Sequence, residues 1–108
     1  MIARIWRGAV RPEDGDRYVA YVEQTGMRQY RETPGNLGAH ILRRDLEDKT
    51  EVVTLTFWDS LEAIRAFAGD DPTLARYYPD DDQYLIERTK RVEHYDVSVT
   101  SISGTPLP

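Results

Sequence analysis

Between Thr50 and Ala68 the chain changes its hydrophobic period within two residues. Val52, Val53, Leu55 and Phe57 lie among threonines, a β-branched and aromatic run that suits a pleated, half-buried strand. Leu61, Ile64 and Phe67 then recur at helical spacing, and Gly69 supplies a stop. Asp59 is placed to cap this helix, with Glu62 three residues on completing a capping box. The pattern predicts a strand over 51–58 and a helix over 60–68.

The rest of the chain divides by the same rules. Residues 1–10 predict a strand. Pro12 suits the first turn of a helix, and Glu13, Asp14 and Asp16 complement its N-terminal dipole. Tyr18, Val19, Val22 and Tyr30 continue that helix to about residue 32, with Gly26 marking a bend or a close approach. Thr33-Pro34-Gly35-Asn36 is a turn, followed by a strand over 38–45 and a polar turn over 46–50. Asp71 and Pro72 predict a short third helix that Pro79 ends. Asp80-Asp81-Asp82 is an acidic turn or helix start, 83–90 is helix or loop, and the alternation of 91–99 predicts the last strand.

The order βαββαβ is that of an α+β, ferredoxin-like fold with an antiparallel sheet. Two helices clothe one face of four strands. The alternation is taken to put Trp6, Thr54 and Thr56 on the bare face, with some of Ile2, Leu42, Val52 and Val92. Leaving such side chains wet gives up about 1.5–3 kcal/mol each. A second copy is the simplest cover, so a homodimer through the sheet faces is expected, forming a dimeric α+β barrel.

At 108 residues the chain has room for one domain, expected over 1–100, with a flexible tail over 101–108. An apolar share of 40% is too high for disorder. The net charge of −5 offers no basic footprint, so nucleic acid and anionic membranes are not expected partners. The absence of cysteine excludes disulfides, thiol nucleophiles and zinc–thiolate sites and is compatible with a reducing compartment. Arg4 and Arg7 interrupt any leader-like run, and no window approaches the roughly 20 apolar residues of a membrane helix. A cytoplasmic location is expected.

Three features resemble the antibiotic biosynthesis monooxygenase superfamily. They are a strand starting at Met1, the Pro34-Gly35 turn between helix and hairpin, and Trp58-Asp59-Ser60-Leu61-Glu62-Ala63 after the third strand. The likeness runs from Met1 to about Val99. It implies a dimeric barrel and, by similarity to the cofactor-independent members, a pocket between sheet and helices for a polycyclic phenol or quinol. On that resemblance the protein is a cofactor-independent monooxygenase acting on a small hydrophobic aromatic ligand, and no cofactor is expected. The haem-degrading branch carries a strand-one asparagine, a tryptophan and an iron-ligating histidine. Those positions fall here on Trp6 or its neighbour, on Phe67 and on Tyr77. All three differ, which disfavours haem degradation, although a tyrosine can ligate ferric haem.

His94 is the leading titratable candidate, because an imidazole near pKa 6.5 can accept a phenolic proton at cellular pH. Alternatively it is a strand histidine bonded to a neighbour, and His40, nearer a turn, has the same two readings. Trp6 can stack on a flat substrate or simply pack the core, and Gly8 beside it leaves space. Arg4 and Arg7 point to opposite faces, and an inward Arg4 would offset a developing anion. Trp58 is best explained as a packing residue at the helix entry. The candidate catalytic set is therefore His94, Trp6 and Arg4, with Tyr77, Phe67, Thr54, Thr56 and His40 lining the pocket. No metal is expected, because consecutive Asp80-Asp81-Asp82 carboxylates diverge and lack calcium-loop spacing. No phosphate loop or nucleophilic triad occurs. A non-catalytic small-molecule binder or stress-associated dimer is the alternative to an enzyme.

Overall fold

A computed structural model of the chain describes residues 1–101, so most of the tail expected over 101–108 lies outside the described residues. β1 (Ile2–Val10) leads through a 3-10 turn at Pro12–Asp14 into α1 (Gly15–Gln24) and α2 (Gly26–Glu32). The hairpin β2 (Asn36–Asp45) and β3 (Thr50–Trp58) follows, then α3 (Leu61–Ala68). A short α4 (Asp81–Tyr84), β4 (Leu85–Arg88) and β5 (Glu93–Asp96) complete the chain. The fold is α+β and ferredoxin-like. Its antiparallel sheet runs β2-β3-β1-β4, with β5 also on β1. Among the described residues no helix is long and apolar enough to cross a membrane.

The predicted first helix is broken at Thr25, whose backbone leaves the helical region while its hydroxyl donates to the Tyr21 carbonyl at 2.8 Å. Gly26 follows the break with Tyr30, Tyr78 and Val22 at ordinary contact distance from where a Cβ would stand, so the glycine marks the bend and not a close approach. The cap of α3 is Ser60, not Asp59: the Ser60 hydroxyl accepts from the Ala63 amide at 3.2 Å. Asp59 instead accepts from the Ser60 hydroxyl, and its amide donates to the Gly35 carbonyl.

The expected third helix is absent. Asp71 folds back onto the Thr73 amide and hydroxyl. The Thr73 carbonyl then accepts from the Val92 amide, and the Ala75 amide donates to the Lys90 carbonyl. Tertiary partners have taken the backbone groups that a helix would have used. Residues 70–80 form a strap instead. β4 occupies the segment expected to be helix or loop, and the expected last strand is shortened to β5, because Arg91 and Val92 pair with the strap at Leu74 and Thr73.

The face assignment from alternation is overturned for Trp6, Thr54, Thr56, Ile2, Val52 and Val92, and only Leu42 keeps its expected place on the bare face. Thr50, Val52, Thr54, Thr56 and Trp58 alternate as buried residues on the helix-covered face, in register with Ile2, Arg4, Trp6, Gly8 and Val10. The bare face carries Ile5, Val53, Leu55 and Phe57, all half-buried, with Leu42 and Tyr95 exposed. Small threonines on the covered face leave room for bulky rings from the helices. Their hydroxyls are satisfied locally, as where Trp58 Nε1 donates to Thr56 Oγ1 at 2.8 Å. The core has two lobes, one around Trp6, Val10, Tyr18 and Val52, the other around Tyr30, Trp58, Ile64 and Phe67.

Gly35 joins the layers. Its φ is +93°, and a Cβ there would lie 2.5 Å from Ala63 Cβ and 2.7 Å from Asp59 Oδ1. Gly35→Ala is expected to cost about 2 kcal/mol or more. Gly38→Ala, with open space around it, should stay within about 0.5 kcal/mol of wild type. Urea denaturation of the two variants checks the contrast.

Candidate active site

Tyr18, Val22, Gly26 and Tyr30 recur every four residues along α1 and α2 and form one wall of a cavity whose floor is β1 and β3. Arg4, Trp6 and Thr54 line the floor, Phe67 closes one end, and the strap supplies Arg76, Tyr77 and Tyr78. The cavity is about 40 Å³, enough for a few waters at most and too small for an aromatic ring.

Trp6 is held by a relay. Its Nε1 donates to the Tyr77 hydroxyl at 3.1 Å, and that hydroxyl donates to the Thr89 carbonyl. The two rings meet edge-on, and the Arg88 guanidinium lies 4.8 Å from the Tyr77 ring centroid. Gly8 is needed here, since a Cβ would come within 2.5 Å of the Trp6 ring. At the other end Tyr18 donates to Asp81 Oδ1 at 2.9 Å, and the Tyr78 amide donates to Oδ2 at 2.6 Å. Asp81 is thereby buried and fully engaged.

Arg4 is 4% exposed, yet among the described residues it has no carboxylate within ion-pair distance. Its guanidinium donates to the carbonyls of Pro72 and Leu74, both at 3.1 Å. Burial lowers its pKa, but from so high a starting point that the group remains a cation. Burial raises the pKa values of Tyr30 and Tyr77 and pushes Tyr78 up to about 12. Burial, reinforced by Asp81, raises that of Tyr18 far more. These phenols are donors at neutral pH, not bases.

Arg4, Trp6, Thr54, Phe67 and Tyr77 are thus brought together, while Thr56, His94 and His40 are not. Thr56 lies under the same helices but is occupied by Trp58. His94 sits opposite Arg4 in the β1–β5 pairing, half-buried, outside the cavity lining, with Nε2 unpartnered. Burial, and secondarily the positive Arg4, lower its pKa. His40 is exposed on the bare face, edge-on to Phe57. Sequence reasoning missed Tyr18, Tyr30, Arg76 and Asp81 as parts of the site. The four-residue spacing from Tyr18 to Tyr30 was a readable sign of a shared wall. Asp81 carried none, because its neighbours Asp80 and Asp82 are ordinary exposed carboxylates.

The model of the antibiotic biosynthesis monooxygenase family matches residues 1–75. The chain belongs to that family. Among solved structures, a candidate antibiotic biosynthesis monooxygenase from Bacillus cereus is 17% identical, with a TM-score of 0.65 over 97% of this chain and 98% of that one. A mutant of MhuD, solved with two manganese protoporphyrin IX bound per active site, is 18% identical, with a TM-score of 0.61 over 95% of this chain and all of the other. At these identities the likeness speaks for the fold alone. No curated protein matches the chain. Within the antibiotic biosynthesis monooxygenase fold of this chain, the cavity uses the strand-one face, the helix wall and the strap residues Arg76, Tyr77 and Tyr78, which follow the matched region.

The His94 shift has a sign. The folded state binds a proton at His94 more weakly than the unfolded chain, whose histidine titrates near 6.5. Its contribution to stability is present above that value and is lost as the pH falls through the folded-state pKa. The thermal midpoint should therefore drop between about pH 7 and pH 5, and the drop should be shallower in His94→Gln. Scanning calorimetry across that range checks it.

Proposed function

We propose that this family member is a cofactor-independent oxygenase-type enzyme for a small, hydrophobic phenol or quinol, working in the cytoplasm as a homodimer. The observation that carries the reading is the cavity itself, walled by rings and floored by Trp6 beside a buried, unpaired Arg4. Trp6 stacks on the ring, and Arg4 balances the phenolate charge. His94, which shares the covered face with Arg4 but lies outside the cavity lining, serves as the base or phenolate anchor at the Arg4 end. In the overall reaction the phenol loses two hydrogens and gains one oxygen atom of dioxygen, and the second oxygen atom leaves as water. A ring requires more than about 40 Å³, so the strap moves outward to admit it. Oxygen uptake with a polycyclic quinol should be catalytic in wild type. It should fall about 10²-fold or more in His94→Ala and clearly in Trp6→Phe. Undiminished rates in both would remove these assignments.

The half-buried apolar set on the bare face, Ile5, Val53, Leu55 and Phe57, supports the dimer, because a second copy covers it with the same residues. Leu55→Arg should convert the particle to a single chain at micromolar concentration, as read by light scattering.

The small volume of the cavity favours a second reading, a non-catalytic small-molecule binder or stress-associated dimer. It predicts saturable quenching of tryptophan fluorescence without oxygen consumption. Haem fits poorly. No histidine lines the cavity, and the Tyr77 hydroxyl is already bonded on both sides by Trp6 and Thr89.

A further inference from the structure

Two cations bracket Phe67 in the cavity. Arg4 lies below it, with its guanidinium carbon 5.8 Å from the ring centroid. Arg76 lies at the mouth, exposed, 5.1 Å from the centroids of both Phe67 and Tyr78. Arg76 donates to the Phe67 carbonyl at 2.7 Å, so both arginines are anchored to main-chain oxygen and, among the described residues, neither is paired with a carboxylate. The carbonyls fix the guanidinium groups without neutralising them, and three of Arg4's five N–H donors remain unused by them. The Tyr78 hydroxyl is buried and, among the described residues, has no hydrogen-bond partner.

Among the described residues the one acid in the lining, Asp81, is committed to Tyr18 and the Tyr78 amide. An unneutralised buried cation is costly in a low-dielectric cavity unless an anion arrives, and the same cavity holds a buried tyrosine hydroxyl able to donate to one. A guanidinium offers a carboxylate or phenolate its strongest hydrogen bonds.

We propose that the cavity selects ligands that are already aromatic oxyanions, carboxylates or phenolates, before any chemistry, with the charge held by Arg4 and Arg76 and the ring against Phe67. This deepens the proposed function and rests on its aromatic pocket, but it adds a ground-state requirement for charge and brings in Arg76 and Tyr78.

The test uses the full chain and two probe pairs, followed by tryptophan fluorescence and calorimetry. Naphthoate is compared with naphthamide, and nitrophenol, at a pH where it is ionised, with nitroanisole. At least a tenfold preference for the anion is expected in one pair or both, and the pair that shows it identifies carboxylate or phenolate as the natural group. Arg4→Met should abolish the preference while uncharged probes still bind. Arg76→Met, on the surface, should reduce it severalfold and covers the case in which the Arg4 variant does not fold. Equal binding of charged and uncharged probes by wild type overturns the oxyanion proposal and leaves the aromatic pocket standing. Absence of binding by all four overturns both.

Discussion

The pairing register of β1 with β3 governs everything else in this molecule. Ile2 faces Trp58, Trp6 faces Thr54 and Val10 faces Thr50, an unbroken run of antiparallel partners. The register fixes which residues of the two strands share a face, and presenting the opposite face of the pair would turn Arg4 and Trp6 out of the cavity and bring Ile5, Leu55 and Phe57 under the helices. That alternative is not poor in apolar contacts, since the residues it would bury are the more hydrophobic set. What decides against it is shape. Trp58 and Trp6 fill the covered side beside threonines small enough to admit Tyr18 and Tyr30, and each buried indole N–H finds an oxygen.

This choice links packing to chemistry. By keeping its threonines inside, the sheet presents polar, narrow positions to the helices, and the rings above them do not close the gap entirely. The space that remains is small, but it is bounded by groups with unmet electrostatic demand: a buried guanidinium held only by carbonyls and a tyrosine hydroxyl without a partner. The same choice leaves Val53, Leu55 and Phe57 half-wet on the other side, where a second copy is the economical cover.

The strap over 70–80 shows how tertiary partners override local preference. Asp71 and Pro72 are sound helix-start residues, yet the peptide groups of Thr73 and Ala75 are bonded to Val92 and Lys90. Arg4 takes the carbonyls of Pro72 and Leu74. A single buried side chain on the first strand thus orders a segment some seventy positions away. The wall of the cavity and the charge inside it are one construction, so moving the strap necessarily changes the environment of Arg4.

Some of this was legible in the residues alone. The order of strands and helices through α3, and the presence of β5, follow from the change of period at Trp58, the Pro34-Gly35 turn and the alternation near the C-terminal end, because those signals are local and depend only on backbone geometry. Gly26 announced the bend beside it for the same reason. The inward placement of Arg4 was one of two choices allowed by alternation. Which face of the sheet is covered, which aspartate of Asp80-Asp81-Asp82 is buried, and that His94 stays beside the cavity rather than in it were settled only in three dimensions. Those outcomes depend on how rings from distant elements share volume and on where long-range hydrogen bonds fall, and no local pattern of polar and apolar residues encodes either.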